Sequence, residues 1–322
     1  MATTHDDDSS SLDADLRGVR RRSVLAAGAG AVAVGPLMVA ADADRAAATT
    51  SKGIFRHGVA SGDPLPRAVV LWTRVTPTPS STPGSGRGPR VVVRWEVATD
   101  SRFRQVVRQG RVTTGPERDH TVKVDADRLR PGSLYYFRFH VGDVTSPVGR
   151  TRTAPATGAD VQRLRVGVVS CSHFEFGHFA AYRHLAQRDD LDAVLHLGDY
   201  LYEREPGEGS IRRHDPTHEI VSLSDYRRRH AQYKSDPDLQ LLHAKVPFIV
   251  TWDDHEVTND NWRAGAENHD PGEGDYQARK ARAQRVYDEW MPVRMGGTAA
   301  TGDGTLLFRR LQWGRLADIN ML

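Results

Sequence analysis

Two rhythms of apolar and polar residues divide the chain. From about residue 53 to 157 the apolar positions come in short alternating runs rich in β-branched and aromatic residues, at 68–72, 90–96, 106–113, 119–124 and 133–141. Alternation of this kind predicts half-buried strands, because successive side chains of a strand point to opposite faces. Turn residues punctuate the runs at Asp63-Pro64, through the Ser/Pro/Gly tract 78–88, and at Arg130-Pro131-Gly132. Several short strands at this spacing predict a small all-β sandwich of immunoglobulin or fibronectin type over 53–157. Pro155-Ala156-Thr157-Gly158 reads as a linker.

From residue 164 the rhythm changes. Near-continuous apolar runs at 164–170, 192–197 and 247–251 fit parallel strands buried on both faces. Stretches with helical spacing stand between and after them at 176–188, 223–233 and 276–290. Strands alternating with helices predict an α/β domain over 163–322. Two last strands, 305–313 and 315–322, meet at Trp313-Gly314. The chain ends at Leu322 inside an apolar strand, a sticky edge, so this second domain is expected to be cut short at its C-terminus.

The first 48 residues follow neither rhythm and read as a signal peptide. A polar, acidic start leads to Arg20-Arg21-Arg22, then Ser23-Val24-Leu25 and an Ala/Gly/Val run to about Ala41, with small residues for cleavage near Ala41-Asp42-Ala43 or Ala46-Ala47-Ala48. Arg21-Arg22-x-Val24-Leu25 fits a twin-arginine signal. Gly28, Gly30, Gly35 and Pro36 weigh against a stable membrane anchor. Twin-arginine export carries folded proteins, which suits a protein that takes up a metal before leaving the cytoplasm. The expected partner is that export machinery, and the expected location is secreted, cell-wall or periplasmic.

Composition refines this reading only at the edges. The 322 residues are 39% hydrophobic and 26% charged, which fits a globular protein with room for two domains. A net charge of +3 without a basic, aromatic-interleaved stripe argues against specific nucleic-acid binding. A monomer is expected. The single cysteine excludes an intrachain disulfide, so an exported chain keeps one thiol that needs another explanation.

The chemistry gathers where the three apolar runs end. Cys171 follows the first, His196-Leu-Gly-Asp-Tyr-Leu-Tyr202 the second, and Trp252-Asp-Asp-His-Glu256 the third. Ligands of open α/β sheets collect outside the carboxyl ends of the strands. A thiol, carboxylates, a phenol and a histidine delivered there describe a metal site suited to phosphate esters. Asp199 and Tyr202, three residues apart, can aim at one ion; a carboxylate can bridge two cations, and a phenolate suits trivalent iron. Asp254 and His255 come from the next strand end, and Asn259, Asp260 and Asn261 add oxygen donors of the kind hard cations take. Two or more cations can clamp a phosphoryl group and generate hydroxide. Alone, each residue is better read as a turn, packing or solvated-loop residue; the joint occurrence carries the reading.

These blocks resemble a known family. Gly198-Asp199-x-x-Tyr202 is similar to the Gly-Asp-x-x-Tyr block of metallophosphoesterases and purple acid phosphatases, and Asp254-His255-Glu256 occupies the place of their Gly-Asn-His-Asp/Glu block. The fuller resemblance is to PhoD-like alkaline phosphatases. It is carried by Val169-Ser-Cys-Ser172, His196 to Glu203, Thr251 to Val257, the opening Phe55-Arg-His-Gly-Val-Ala-Ser-Gly-Asp-Pro64 with Leu71-Trp-Thr-Arg74, and the helix from Arg279 to Pro292.

The resemblance implies an αββα metallophosphoesterase sandwich, incomplete at the C-terminus, behind the all-β sandwich. It implies a secreted phosphomonoesterase or phosphodiesterase with one Fe3+ and two Ca2+. Carried over, Cys171, Asp199 and Tyr202 would bind iron, with Asp199 bridging to calcium. Asn259 or, by preference, Asn261 would bind calcium, and Asp254 would be a ligand or an anchor behind the ligands. His255 would orient or protonate near the phosphate, and Arg279 would stabilise its charge. The expected reaction is in-line attack of a metal-bound hydroxide on phosphorus, without a covalent nucleophile. The family completes its metal site from a later segment that has no counterpart before Leu322. The second reading is therefore a catalytically incomplete fragment that binds a surface polymer.

Overall fold

The computed structural model describes residues 53–295 and 307–322, all within one compact unit that begins at Ala43. The twin-arginine segment lies outside the described residues. In chain order the first half contributes β1 (Val59–Leu65), β2 (Ala68–Arg74), β3 (Val91–Ala98), β4 (Val106–Thr114), β5 (Thr121–Ala126), β6 (Leu134–Val141), β7 (Val144–Thr145) and β8 (Gly149–Arg152). The second half contributes β9 (Val166–Val169), α1 (Ala180–Ala186), β10 (Ala193–His196), α2 (Leu223–Lys234), α3 (Pro237–Lys245), β11 (Phe248–Val250), α4 (Tyr276–Trp290), β12 (Arg309–Trp313) and β13 (Ala317–Met321).

A six-stranded sheet in the order β5–β2–β1–β11–β10–β9 runs through both halves. The strands β9, β10 and β11 are parallel, β1 pairs parallel with β11 at Gly62 opposite Phe248, and β2 and β5 continue antiparallel. A second sheet, β4–β3–β6–β7 with β8 on β6, stacks on its antiparallel part. Val69, Leu71, Val93, Val97, Phe137 and Phe139 fill the space between. The strands of the expected sandwich are thus present, but β1, β2 and β5 belong to the same sheet as the parallel strands.

The seam depends on one glycine. A Cβ on Gly62 would stand 2.0 Å from the Pro292 carbonyl oxygen and 2.7 Å from that of Phe248, so no side chain fits where β1 meets β11. The pairing of β1 with β2 shifts register just after it, between Gly62 and Leu65. This irregularity, with Pro64 inside the strand, explains why alternation did not reveal β1. The helix α3 was also unforeseen; its start is set by Pro237 and by Asp236, which accepts from the Asp238 and Leu239 amides at 2.9 and 3.1 Å. The expected helix 176–188 shrinks to α1, and the Gly177 carbonyl ahead of it accepts from Arg212.

The two faces of the parallel part are covered differently. Tyr226, Val286, Tyr287 and Trp290 of the helices pack with Trp72, Val194, Phe248 and Val250. On the other face Ala193 and Ile249 meet Leu311, Met321 and Ile319 of the β12–β13 hairpin. Among the described residues this amounts to one helical layer, one mixed sheet and a hairpin, an α/β arrangement. No helix among them is long and apolar enough to cross a membrane.

Candidate metal centre

Parallel pairing brings the three strand ends level and continues into the turns beyond them. Cys171 N–H donates to the Gly198 carbonyl at 3.2 Å and Ser172 N–H to the Asp199 carbonyl at 2.9 Å; Thr251 N–H donates to the His196 carbonyl at 3.0 Å. Cys171 and Asp199 both adopt left-handed backbone, with φ of 55° and 50°. Such conformations cost free energy in non-glycine residues and mark tightly determined turns. A Cβ on Gly198, itself at φ 110°, would lie 2.5 Å from Asp253 N, so the second and third turns touch only because this residue is glycine.

In this contact the ligand atoms of Asp199, Asp254 and His255 lie within 4.8 Å of one another. Asp199 is buried; Oδ2 accepts from the Tyr202 hydroxyl at 3.1 Å, and Oδ1 is buried without a partner among the described residues. Burial raises the Asp199 carboxyl, against the pull of His255 and Tyr202. Burial and the Asp199 carboxylate together push the Tyr202 phenol up. Asp254 is half-buried, and its Oδ2 accepts from Asp260 N–H at 2.5 Å.

His255 is fixed by a residue that sequence reasoning missed. Its Nδ1 lies 2.6 Å from Oε2 of fully buried Glu203, which also accepts from Asn259 N–H at 2.8 Å. With a carboxylate as acceptor, Nδ1 carries the proton and Nε2 remains for the site. Burial opposes the charged imidazole, but Glu203, with Asp199 and Asp254, raises its pKa. Burial likewise opposes charge on Glu203, while His255 holds it below the usual carboxylate range. The Tyr202 ring packs between those of His173 and His255, with centroids 4.1 and 4.2 Å away. Glu203 closes the His196–Glu203 block, so its place in that block was the available signal.

The remaining candidates are placed unevenly. Cys171 is exposed on the first turn and is not part of the Asp199–Asp254–His255 group. Asn261 donates from Nδ2 to the Asp254 carbonyl at 3.1 Å and accepts from the Tyr276 hydroxyl at 3.3 Å, whereas Asn259 donates to exposed Glu267 at 2.8 Å. Arg279 needs correction as a phosphate-facing residue. Its guanidinium is fully buried, and it donates to the Tyr226 hydroxyl at 3.1 Å, the Asn268 carbonyl at 2.9 Å, Glu273 at 2.8 Å, Glu219 at 2.6 Å and the Ile220 carbonyl at 3.1 Å. A guanidinium has five N–H donors, so none is left for a phosphate.

A second group, His173, Glu175 and His214, also has ligand atoms within 4.8 Å. Glu175 already accepts from Gly207 N–H, the Ser210 hydroxyl and His214 N–H, each at 3.1 Å, and His214 Nδ1 lies 3.0 Å from the Arg204 carbonyl. These residues fasten the 204–214 loop beside the site.

The first group fits a cation. Asp199 and Asp254 lie beside one histidine, which Glu203 holds from behind, and among the described residues no lysine or arginine pairs with either aspartate. Buried carboxylates require a compensating positive charge. Carboxylate oxygens of this kind suit hard cations.

Comparison with known proteins agrees with this chemistry. The chain matches the PhoD-like phosphatase family model over residues 166–322 and the model of that family's N-terminal domain over 40–155. It is 44% identical over 274 residues to alkaline phosphatase D of Bacillus subtilis (strain 168), a match that covers 83% of this chain and 46% of the relative. A solved structure described as that of PhoD superimposes with a TM-score of 0.77 at 43% identity, covering 83% of this chain and 51% of that one. The chain therefore spans about half the length of the relatives it matches. Two adjoining models of one family, a relative at 44% identity and a shared fold together make this chain a member of the PhoD-like phosphatase family.

Proposed function

We propose that this chain belongs to an exported, metal-dependent phosphatase that hydrolyses phosphate monoesters, diesters or both. The observation that carries the reading is the convergence of Asp199, Asp254 and His255 within 4.8 Å around a buried Asp199 oxygen that has no partner among the described residues. One ferric and two calcium ions are the proposed complement, and when bound they would supply electrostatic stabilisation of the phosphoryl group and an activated water. Asp199, Cys171 and Tyr202 would hold the iron, and Asp199, Asp254 and Asn261 the calcium. The Tyr202 hydroxyl donates to Asp199, which aims the phenol oxygen at the place where it would help to hold the iron. His255, oriented by Glu203, presents Nε2 to a substrate oxygen, where it can hold or deliver a proton. Arg279 has no direct part; its ties to Glu219, Glu273 and the 268–269 segment brace the neighbouring loops. Export by the twin-arginine route is proposed on the Arg21-Arg22 segment.

The test is hydrolysis of an aryl phosphate monoester and diester with added calcium and iron, comparing wild type with Asp199→Asn. The substitution keeps shape but removes the charge that offsets cation repulsion. Activity is expected to fall at least about a hundredfold, roughly 2.7 kcal/mol of transition-state stabilisation, with lower bound metal and little change in unfolding of the metal-free protein. Near-wild-type turnover by Asp199→Asn would place the chemistry elsewhere.

A further inference from the structure

We propose that Glu256 is a positioning residue for the metal centre: its carboxylate ties the turn after β10 to the turn after β11 and so sets the separation of Asp199 from Asp254. The inference rests on reading that cluster as a cation site. Glu256 is 1% exposed. Its Oε1 accepts from Tyr200 N–H at 2.5 Å, and its Oε2 accepts from Asp199 N–H at 3.2 Å and Asp253 N–H at 2.9 Å. One side chain therefore holds amides from both turns.

The amides of Asp199 and Tyr200 lie at a turn that leaves the sheet, and burial keeps water from replacing Glu256 there. An apolar residue at this position would orphan those groups, at a cost comparable to lost hydrogen bonds. The arrangement also opposes a repulsion. Asp199 and Asp254 are two carboxylates held close together without a lysine or arginine between them among the described residues. Their repulsion, offset in part by His255 beside them, favours separation unless the backbone beneath them is fixed. Gly198 permits the approach of the turns, and Glu256 locks it. The site is then formed before a cation arrives, and the affinity reflects that preorganisation.

Glu256→Gln separates this role from packing. The carboxamide keeps the volume but has a single acceptor oxygen, and its NH2 turns a donor towards an amide it cannot satisfy. Amide hydrogen exchange of the metal-free protein and calorimetric titration with calcium are the measurements. Exchange at Asp199, Tyr200 and Asp253 is expected to speed up at least about tenfold, with Leu195 and Ile249 in the adjoining strands unchanged, and calcium affinity to fall by at least about tenfold. Unchanged exchange at those amides, or faster exchange spread evenly over the sheet, would overturn the proposal. So would unaltered calcium affinity once the clamp has loosened. If the wild type takes up no calcium, the cation-site reading falls, while the exchange pattern still decides whether Glu256 joins the turns. Should Glu256→Gln not fold, Glu256→Asp keeps the carboxyl group but is one methylene too short to reach both turns, and the same local loss of protection is expected from it.

Discussion

At the scale of single residues, burial and partner count separate the groups that face the site from those that support it. Among the described residues Asp199 keeps an oxygen free of partners, whereas Arg279 has spent every donor. The two therefore respond differently to substitution. Arg279→Met leaves the partly buried Glu219 and Glu273 carboxylates without their cation, and losing hydrogen bonds to charged groups costs about 1.5–3 kcal/mol. Thermal unfolding is expected to shift accordingly, while the KM of whatever protein remains folded stays close to that of the wild type. A large rise in KM with unchanged stability would return Arg279 to the substrate. Cys171 and Asp199 were legible from the sequence as strand-end residues, and Asp199 also as part of a spaced block. Glu203 and Glu256 were visible only as letters within blocks, because nothing in the spacing says which carboxylate accepts amides and which faces an ion.

At the scale of elements, the parallel strands announced themselves and the seam did not. Continuous apolar runs follow from burial on both faces, and β9, β10 and β11 fall within the expected ranges. The strand β1 is Val-Ala-Ser-Gly-Asp-Pro-Leu, a sequence with low strand propensity that is held in place by its neighbours. Its role as the seam makes Gly62 a sensitive position. Gly62→Ala would drive a methyl group into the Pro292 and Phe248 carbonyls, and the strands must separate to admit it. A loss of at least about 2 kcal/mol in denaturant unfolding is expected. A change within about 0.5 kcal/mol, the usual range for a harmless surface substitution, would show that β1 and β11 are not held so closely.

At the scale of the whole molecule, the shared sheet makes the two halves dependent on each other. Trp72 donates from Nε1 to the Glu289 carbonyl at 2.9 Å, Lys123 to the Asp288 carbonyl at 2.7 Å, and Asp63 accepts from Arg309 at 2.7 and 2.8 Å. Trp72 is also part of the core beneath the helices. Residues 163–322 expressed alone would expose the β11 edge and the apolar surface that β1 and β2 cover, so that piece is expected to aggregate, whereas 53–322 stays soluble and unfolds cooperatively. Scanning calorimetry and light scattering of the two pieces check this. A monomeric, cooperatively folding 163–322 would mean that the sheet is divisible at the linker after all.

Periodicity and spacing by themselves determined the change from an all-β half to alternating strands and helices, the location of chemistry at three successive strand ends, and the presence of Asp199, Tyr202, Asp254 and His255 there. These are local properties, since burial pattern and turn chemistry are written in neighbouring residues. Tertiary structure decided what depends on distant pairs. It merged β2 and β5 of the expected sandwich, together with β1, into the sheet of the parallel strands through Gly62, whose contacts with Phe248 and Pro292 no local pattern records. It turned Arg279 inward, because acceptors from four other segments meet it in the interior. It also gave Glu203 and Glu256 their partners, since a hydrogen bond spanning more than fifty residues is fixed by the packing of strands and not by the sequence around either end.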